Sequence, residues 1–334
     1  MRCLVVGVGS IGRRHCRNLA ALGADVLAWD ADPARLGDVA ASERVKAVDS
    51  LDTGLAARPD AALICTPPAS HVALARRALD AGADLFVEKP IAHATDGVLD
   101  LLADAARREK LVMVGCNLRF LPSLRHVQWL LADRRVGRVL SARANFGSYL
   151  PDWRPGQSYR DNYAVSAAQG GGVLLDATHE LDYLGWLFGP AVDVSCAMFH
   201  VSALAGNTED LVEATVTFAG GIVAQVHLDY VRRAYRRDLE VIGDGGTIRW
   251  DYPTHSVTFE VAGAAADRRD FSAEEGDPNA MYVEEMRHFL DCLATRRSPI
   301  GDGAEGFAAL RLAMAARASA RDGCRVTPVG GGRS

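Results

Sequence analysis

The chain has 334 residues, 49% of them hydrophobic, and 37 Lys and Arg against 42 Asp and Glu leave a formal net charge of −5. That length favours two domains with sizeable cores, and arginines dispersed without a basic stripe argue against a nucleic-acid surface. Seven cysteines with no Cys-x-x-Cys pair give neither a zinc site nor a disulfide framework and predict buried thiols in a reducing cytosol. No signal peptide precedes the first strand and no run approaches the ~18 apolar residues of a spanning helix, so a cytoplasmic protein without membrane contact is expected.

From residue 1 to about 117, short apolar runs alternate with amphipathic segments, the pattern of βαβ units around a parallel sheet. Strands are predicted near 2–6, 25–30, 61–65, 84–88 and 111–116, and helices at 12–22, 33–41, 70–81 and 94–109. The first strand runs directly into Gly7-Val8-Gly9-Ser10-Ile11-Gly12, and a helix-compatible stretch follows. Strand, Gly-x-Gly-x-x-Gly and helix in that order are the context of a dinucleotide fingerprint. Gly7 permits the tight turn, Gly9 lets the backbone approach a pyrophosphate, and Gly12 lets the helix pack on the sheet. The amides around Ser10 and Ile11 then face phosphate at the positive helix end.

Asp30 closes the next run, where such folds place the acid that bonds the adenosine ribose. A carboxylate there repels a 2′-phosphate, so NAD is favoured over NADP, with Arg35 as the residue able to neutralise that phosphate. Leu63 to His71 forms a strand end and loop at the carboxyl edge, which makes Thr66, Pro67 and His71 cofactor-contact candidates and Ser70 a helix cap. Glu88-Lys89-Pro90 then ends the apolar run Ala83 to Val87. It puts an ionisable amine where a Rossmann sheet holds its nicotinamide, which turns a binding fold into one that moves a hydride.

After Asn117 the texture changes. A helix at 122–134 and a strand at 139–146 lead into a Tyr-, Arg- and Asp-rich loop, 149–168, then an apolar-striped helix at 173–188. Strands near 191–203, 208–219, 222–232, 236–242, 246–251 and 255–261 follow without intervening helices, and helices near 280–295 and 304–321 close the chain. The expected fold is α/β: an N-terminal doubly wound Rossmann sheet over 1–117, then an α+β domain over 118–329 with a large open, mostly antiparallel sheet. The last helices belong to the second domain or pack back on the first, and 330–334 is a frayed tail. A sheet covered by helices on one face leaves an apolar face, which predicts a homodimer or homotetramer. Tyr149, Tyr159, Arg160 and Tyr163 on the loop, and Tyr230, Arg232 and Arg233 at a strand end, suit a polyol or a phosphate-bearing substrate. Sheet-edge packing and surface charge account for each of them equally well.

The glycine fingerprint, Thr66-Pro67-Pro68 with His71, Glu88-Lys89-Pro90, Asn117-x-Arg119-Phe120 and Gly170-Gly171-Gly172 through Asp176 to His179 together resemble the glucose-fructose oxidoreductase, inositol dehydrogenase and MocA family over nearly the whole chain. The resemblance implies NAD(P)-dependent redox chemistry on sugars, cyclitols or related alcohols, and assembly through the open sheet. It adds Glu88 and Asn117 to the cofactor residues and Arg119 to the substrate residues, and it maps the family's catalytic Lys, Asp and His onto Lys89, Asp176 and His179, the last two also touching substrate. Many members space that Asp and His four apart, whereas here they are three apart and Glu180 takes the fourth position. Trp153-Arg154-Pro155-Gly156 through Tyr163, with Thr178 to Tyr183, resembles a branch associated with surface-sugar or nucleotide-sugar pathways.

Residues i and i+3 share a helix face, so Asp176 and His179 are expected to project together. Either His179 or Lys89 is the base, and Asp176 orients His179 or bonds another hydroxyl. No third ligand supports a metal site. The leading reading is a nicotinamide-dependent dehydrogenase of sugar-like ring hydroxyls. The alternatives are an NAD-assisted glycoside hydrolase and a cofactor-binding regulator without chemistry.

Overall fold

The structure is a computed structural model and describes residues 1–153, 156 and 158–328. The tail 330–334, with Arg154 and Pro155 of the loop motif, lies outside the described residues. The chain divides into two compact units, one of Met1–Phe120 with Pro278–Phe307, the other of Leu121–Asp277 with the chain from Ala308 onward.

In the first unit, β1 (Arg2–Val6), β2 (Asp25–Trp29), β3 (Lys46–Ala47), β4 (Ala61–Ile64), β5 (Asp84–Glu88) and β6 (Val112–Gly115) form one sheet in the order β3-β2-β1-β4-β5-β6. Every pairing is parallel. Parallel strands are covered on both faces, and β4, β5 and β6 are buried at every position. The order reverses between β1 and β4, the place where doubly wound sheets bind ligands at their carboxyl ends. Predicted helix 94–109 begins only at Val98, because Gly97 at φ +70° turns the chain before it. Strand β3 and the helix Leu51–Ala56 are additional to the predicted elements.

The second unit holds β7 (Val139–Gly147), β8 (Ala191–Phe199), β9 (Leu211–Phe218), β10 (Val223–Asp229), β11 (Arg236–Gly243), β12 (Thr247–Asp251), β13 (Ser256–Glu260) and β14 (Asp267–Asp270) in one eight-stranded sheet, ordered β14-β13-β12-β11-β7-β10-β9-β8. Strands β7 and β10 pair in parallel and their neighbours pair antiparallel. Alternation along β9 and β10 buries Val212, Ala214, Val216, Ala224, Val226 and Leu228, the side on which the helices pack.

The opposite face corrects one expectation, because it is polar. In register across the sheet run Arg249, Glu240, Arg143, Gln225, Thr215 and Ser195, and beside them Asp251, Asp238, Asn145, His227 and Glu213. The strands alternate, so apolar residues that read as covering both faces are spent on one.

His227 sits between Glu213 (2.6 Å) and Asp229 (2.9 Å) on that face, and its pKa is raised, chiefly by the bond to Asp229. A raised pKa contributes stability while the ring is charged in both states, and that contribution is lost as pH rises through the folded value. We therefore expect wild type and His227→Gln to differ in Tm at pH below the ordinary histidine range and to converge above it. A constant difference across the range would remove His227 as the titrating group.

The predicted helix 173–188 is broken. Val173–Asp176 ends at Ala177, whose φ of −93° and ψ of 33° leave the helical region, and Thr178–Phe188 starts afresh. The Thr178 hydroxyl donates to the Leu175 carbonyl across the break. Asp176 and His179 therefore do not share one helix face. Five of the cysteines are buried, Cys196 is half-buried, and Cys324 is exposed, contrary to the expectation of uniformly buried thiols. Among the described residues no helix is long and apolar enough to cross a membrane.

Candidate active site

The carboxyl edge of the first sheet gathers the sequence-predicted cofactor residues. Gly7, at φ +88°, follows β1 and its amide donates to the Trp29 carbonyl at 2.8 Å. A Cβ on Gly12 would stand 1.9 Å from the Gly7 carbonyl oxygen, so only glycine lets the helix Ser10–Ala21 come this close. A Cβ on Gly9 would meet nothing within 4 Å, which leaves this side of the turn open to approach. Gly9 caps the helix without any side-chain bond, so the first-turn amides at Ser10 and Ile11 have no intrahelical acceptor and suit a phosphate. Turn, open side and free amides together fit a pyrophosphate.

Asp30 follows β2 and turns back onto this turn. One carboxylate oxygen accepts the Val8 amide at 2.7 Å and the other the Asp32 amide at 2.8 Å. Each oxygen keeps a second acceptor site, which fits a ribose diol. Arg35, half exposed, lies 3.8 Å from Asp30 and 3.7 Å from Asp32. Asp30→Ala is expected to weaken NAD at least about tenfold, the scale of a charge-assisted hydrogen bond, while changing NADP little. Calorimetric titration of both cofactors checks this, and equal losses would reduce Asp30 to a brace for the Val8 turn.

His71 departs from its sequence reading. It is buried, with Nε2 2.7 Å from the Thr66 carbonyl and Nδ1 3.0 Å from the Pro90 carbonyl, so it ties the loops after β4 and β5 together rather than facing a ligand. Burial lowers its pKa, while the two carbonyls and Glu88 pull it upward. Thr66 exchanges a hydroxyl bond with Ser70 at 2.7 Å, and Pro67 accepts the Ser70 hydroxyl at 2.9 Å. Glu88 is buried too. One of its oxygens meets His15 Nε2 at 2.6 Å and the other accepts the Lys89 amide at 3.2 Å. Glu88 and His71 thus brace the turn that carries Lys89, whose side chain is half-buried. Asn117 is buried with its amide 3.2 Å from Met281 Sδ, and Arg119 is buried in an ion pair with Glu305 at 2.8 Å.

In the second unit, Asp176 is the centre of a cluster. The Tyr163 hydroxyl donates to one carboxylate oxygen at 2.6 Å and the Tyr230 hydroxyl to the other at 3.0 Å. Burial and the Asp176 charge push the Tyr230 pKa well up, so that phenol stays a donor. His179 is 8% exposed on the first turn of Thr178–Phe188. Glu180 is fully buried, with Arg237 Nε at 2.8 Å. The loop residues separate: Tyr163 joins Asp176, whereas the Tyr159 hydroxyl accepts the Ala205 amide at 3.0 Å, and Arg160 lies exposed beside the Tyr159 ring.

Residues 1–116 match the family described as "Oxidoreductase family, NAD-binding Rossmann fold", and residues 124–249 match the GFO/IDH/MocA C-terminal domain. The chain belongs to the Gfo/Idh/MocA oxidoreductase family. As a member it is an oxidoreductase whose first unit is the family's NAD-binding Rossmann domain. The UDP-N-acetylglucosamine 3-dehydrogenase of Acidithiobacillus ferrooxidans is 27% identical over 95% of this chain and 96% of that protein. The inositol 2-dehydrogenase of Rhizobium meliloti is 28% identical over 93% and 94%. GenD2 from gentamicin A biosynthesis, solved with NAD, superposes at a TM-score of 0.85 with 26% identity, covering 98% of this chain and 96% of that one.

One supporting residue of the first unit, His15, lies outside the sequence-predicted set, and the role of Tyr230 in the second unit, as a donor to Asp176, was not legible in the sequence. His15 left only a weak signal, a histidine three residues past Gly12 on the buried side of the helix. Tyr230 is 54 positions from Asp176, and no local pattern joins them.

Proposed function

We propose that the protein is an NAD-dependent dehydrogenase that oxidises a ring hydroxyl of a sugar, nucleotide sugar or cyclitol, or reduces the matching ketone. The observation that carries this reading is the Lys89 amine on the same carboxyl edge as the glycine turn, Asp30 and Thr66. NAD, when bound, supplies the hydride acceptor. Oxidation of the hydroxyl to a carbonyl would also release its proton, which a residue of this chain would take up. The Lys89 ammonium donates to the reacting oxygen and stabilises the charge that develops there. The His179 imidazole takes the proton. Asp176, with a phenol on each of its oxygens, accepts from a further hydroxyl of the substrate and fixes the ring. The second unit so read is a polyol-binding unit.

The test mixes protein and NAD with a panel of sugars, inositols and UDP-sugars and follows NADH absorbance. A substrate-dependent rise supports the proposal. Glycoside cleavage without net NADH would replace it with the hydrolase reading.

We also propose that the protein forms a homodimer or homotetramer through the polar sheet face. The arginine-bearing row lies beside the carboxylate-bearing row, so a two-fold axis between them would set each against the other. Light scattering should then show an assembly that dissociates as salt screens these pairs. A monomer at low salt would sink this arrangement.

A further inference from the structure

The connection from β10 to β11 carries four arginines within six positions, Arg232, Arg233, Arg236 and Arg237. Three of them are matched by carboxylates: Arg232 Nε lies 3.2 Å from Asp229, Arg237 Nε lies 2.8 Å from Glu180, and Arg236 pairs with Asp238. Arg233 has no carboxylate partner among the described residues. It is exposed, and its guanidinium carbon stands 3.5 Å from the centroid of the Tyr149 ring. Stacking engages the flat face of a guanidinium and leaves the N–H groups of its edge in plane for another partner. Those groups form a fork that matches two oxygens of a phosphate or carboxylate.

The position of this cation gives it meaning. The Ser148 amide donates to the Asp229 carbonyl at 3.1 Å and the Leu150 amide to the Tyr230 carbonyl at 3.0 Å, so the segment bearing Tyr149 is fastened to the end of β10. The Tyr230 hydroxyl donates to Asp176. Arg233 lies three residues beyond Tyr230, a reach of at most about 10 Å of chain. One piece of backbone therefore ends in the Asp176 cluster at one point and in a cation held flat on an aromatic ring at another. A sugar ring whose hydroxyl meets Asp176 has its anomeric substituent to place nearby.

We infer that Arg233, stacked on Tyr149, binds a phosphate group carried by the sugar substrate, so that the substrate is a sugar phosphate or a nucleotide sugar rather than a free polyol. The inference rests on the proposed function in taking Asp176 to mark where the sugar lies. Recognition adds the charge-assisted bonds of the phosphate to the hydroxyl contacts of the ring, and the ring of Tyr149 keeps the guanidinium oriented before the ligand arrives.

The test titrates NAD-loaded protein calorimetrically with glucose, galactose and N-acetylglucosamine, each offered free, as the 1-phosphate and as the UDP conjugate, and follows NADH in parallel. Wild type should bind phosphate-bearing forms in preference to the free sugar. Arg233→Ala should cut that preference roughly 10- to 100-fold, with the weakening rising steeply with salt in wild type only. Tyr149→Phe, which keeps the ring, should retain the preference, and Tyr149→Ala should lose most of it. Preference for the 1-phosphate alone identifies a sugar phosphate, and a further gain with UDP identifies a nucleotide sugar. Equal affinity for free and phosphorylated forms in wild type, or an unchanged preference in a folded Arg233→Ala, overturns the inference. Arg233-dependent binding without NADH formation leaves it standing and removes the dehydrogenase reading instead.

Discussion

Replacing Lys89 with methionine is expected to lower kcat/KM by about three orders of magnitude while NAD still binds and the fold is unchanged. The turn has supports that do not involve the Lys89 amine. Glu88 is fixed by His15 on one oxygen and by the Lys89 main-chain amide on the other, and Pro90 is fixed through its carbonyl by His71. Methionine keeps the length of the side chain and deletes only the charge and the donors, so the loss reports electrostatic stabilisation of the reacting oxygen. Steady-state kinetics with calorimetric titration of NAD checks the split. Turnover within tenfold of wild type would take Lys89 out of the chemistry.

The parts of the molecule that were legible in the sequence are those set by neighbours along the chain. Gly7, Asp30, Thr66 and Lys89 each follow an apolar run, and a parallel sheet buried on both faces turns such runs into readable strands. Strand β3 escaped because its two residues, Lys46 and Ala47, are both exposed and carry no apolar signal. Strand β14 escaped for the same reason, being Asp-Arg-Arg-Asp and exposed throughout. The break at Ala177 was hidden because residues on both sides of it are buried, so periodicity runs through a backbone that does not. Contacts across the sheet were out of reach altogether. That Asp176 is held by Tyr230, and Glu180 by Arg237, depends on which strands lie together at the end of the fold.

Glu180→Ala is expected to destabilise the second unit by about 3–5 kcal/mol, because it strands a charge in the interior. Glu180 is fully buried, the Arg237 side chain is 11% exposed, and the guanidinium also lies 4.6 Å from the centroid of the Phe146 ring. A guanidinium in that setting keeps its charge, and its pKa is pushed up by Glu180 against the opposing effect of burial. For a unit of this size the loss corresponds to a fall in Tm of roughly 10 °C. Glu180→Leu combined with Arg237→Met removes both charges and should recover most of it, since a buried pair exchanged for well-packed apolar residues is often neutral. The same variants decide between two roles for Glu180, the residue four positions after Asp176. A brace predicts that Glu180→Gln, which keeps an acceptor for Arg237, turns over normally per folded molecule. A catalytic carboxylate predicts the reverse, wild-type Tm with kcat reduced by about two orders of magnitude. The buried ion pair favours the brace, and with it the proposal that His179 takes the proton of the reacting hydroxyl.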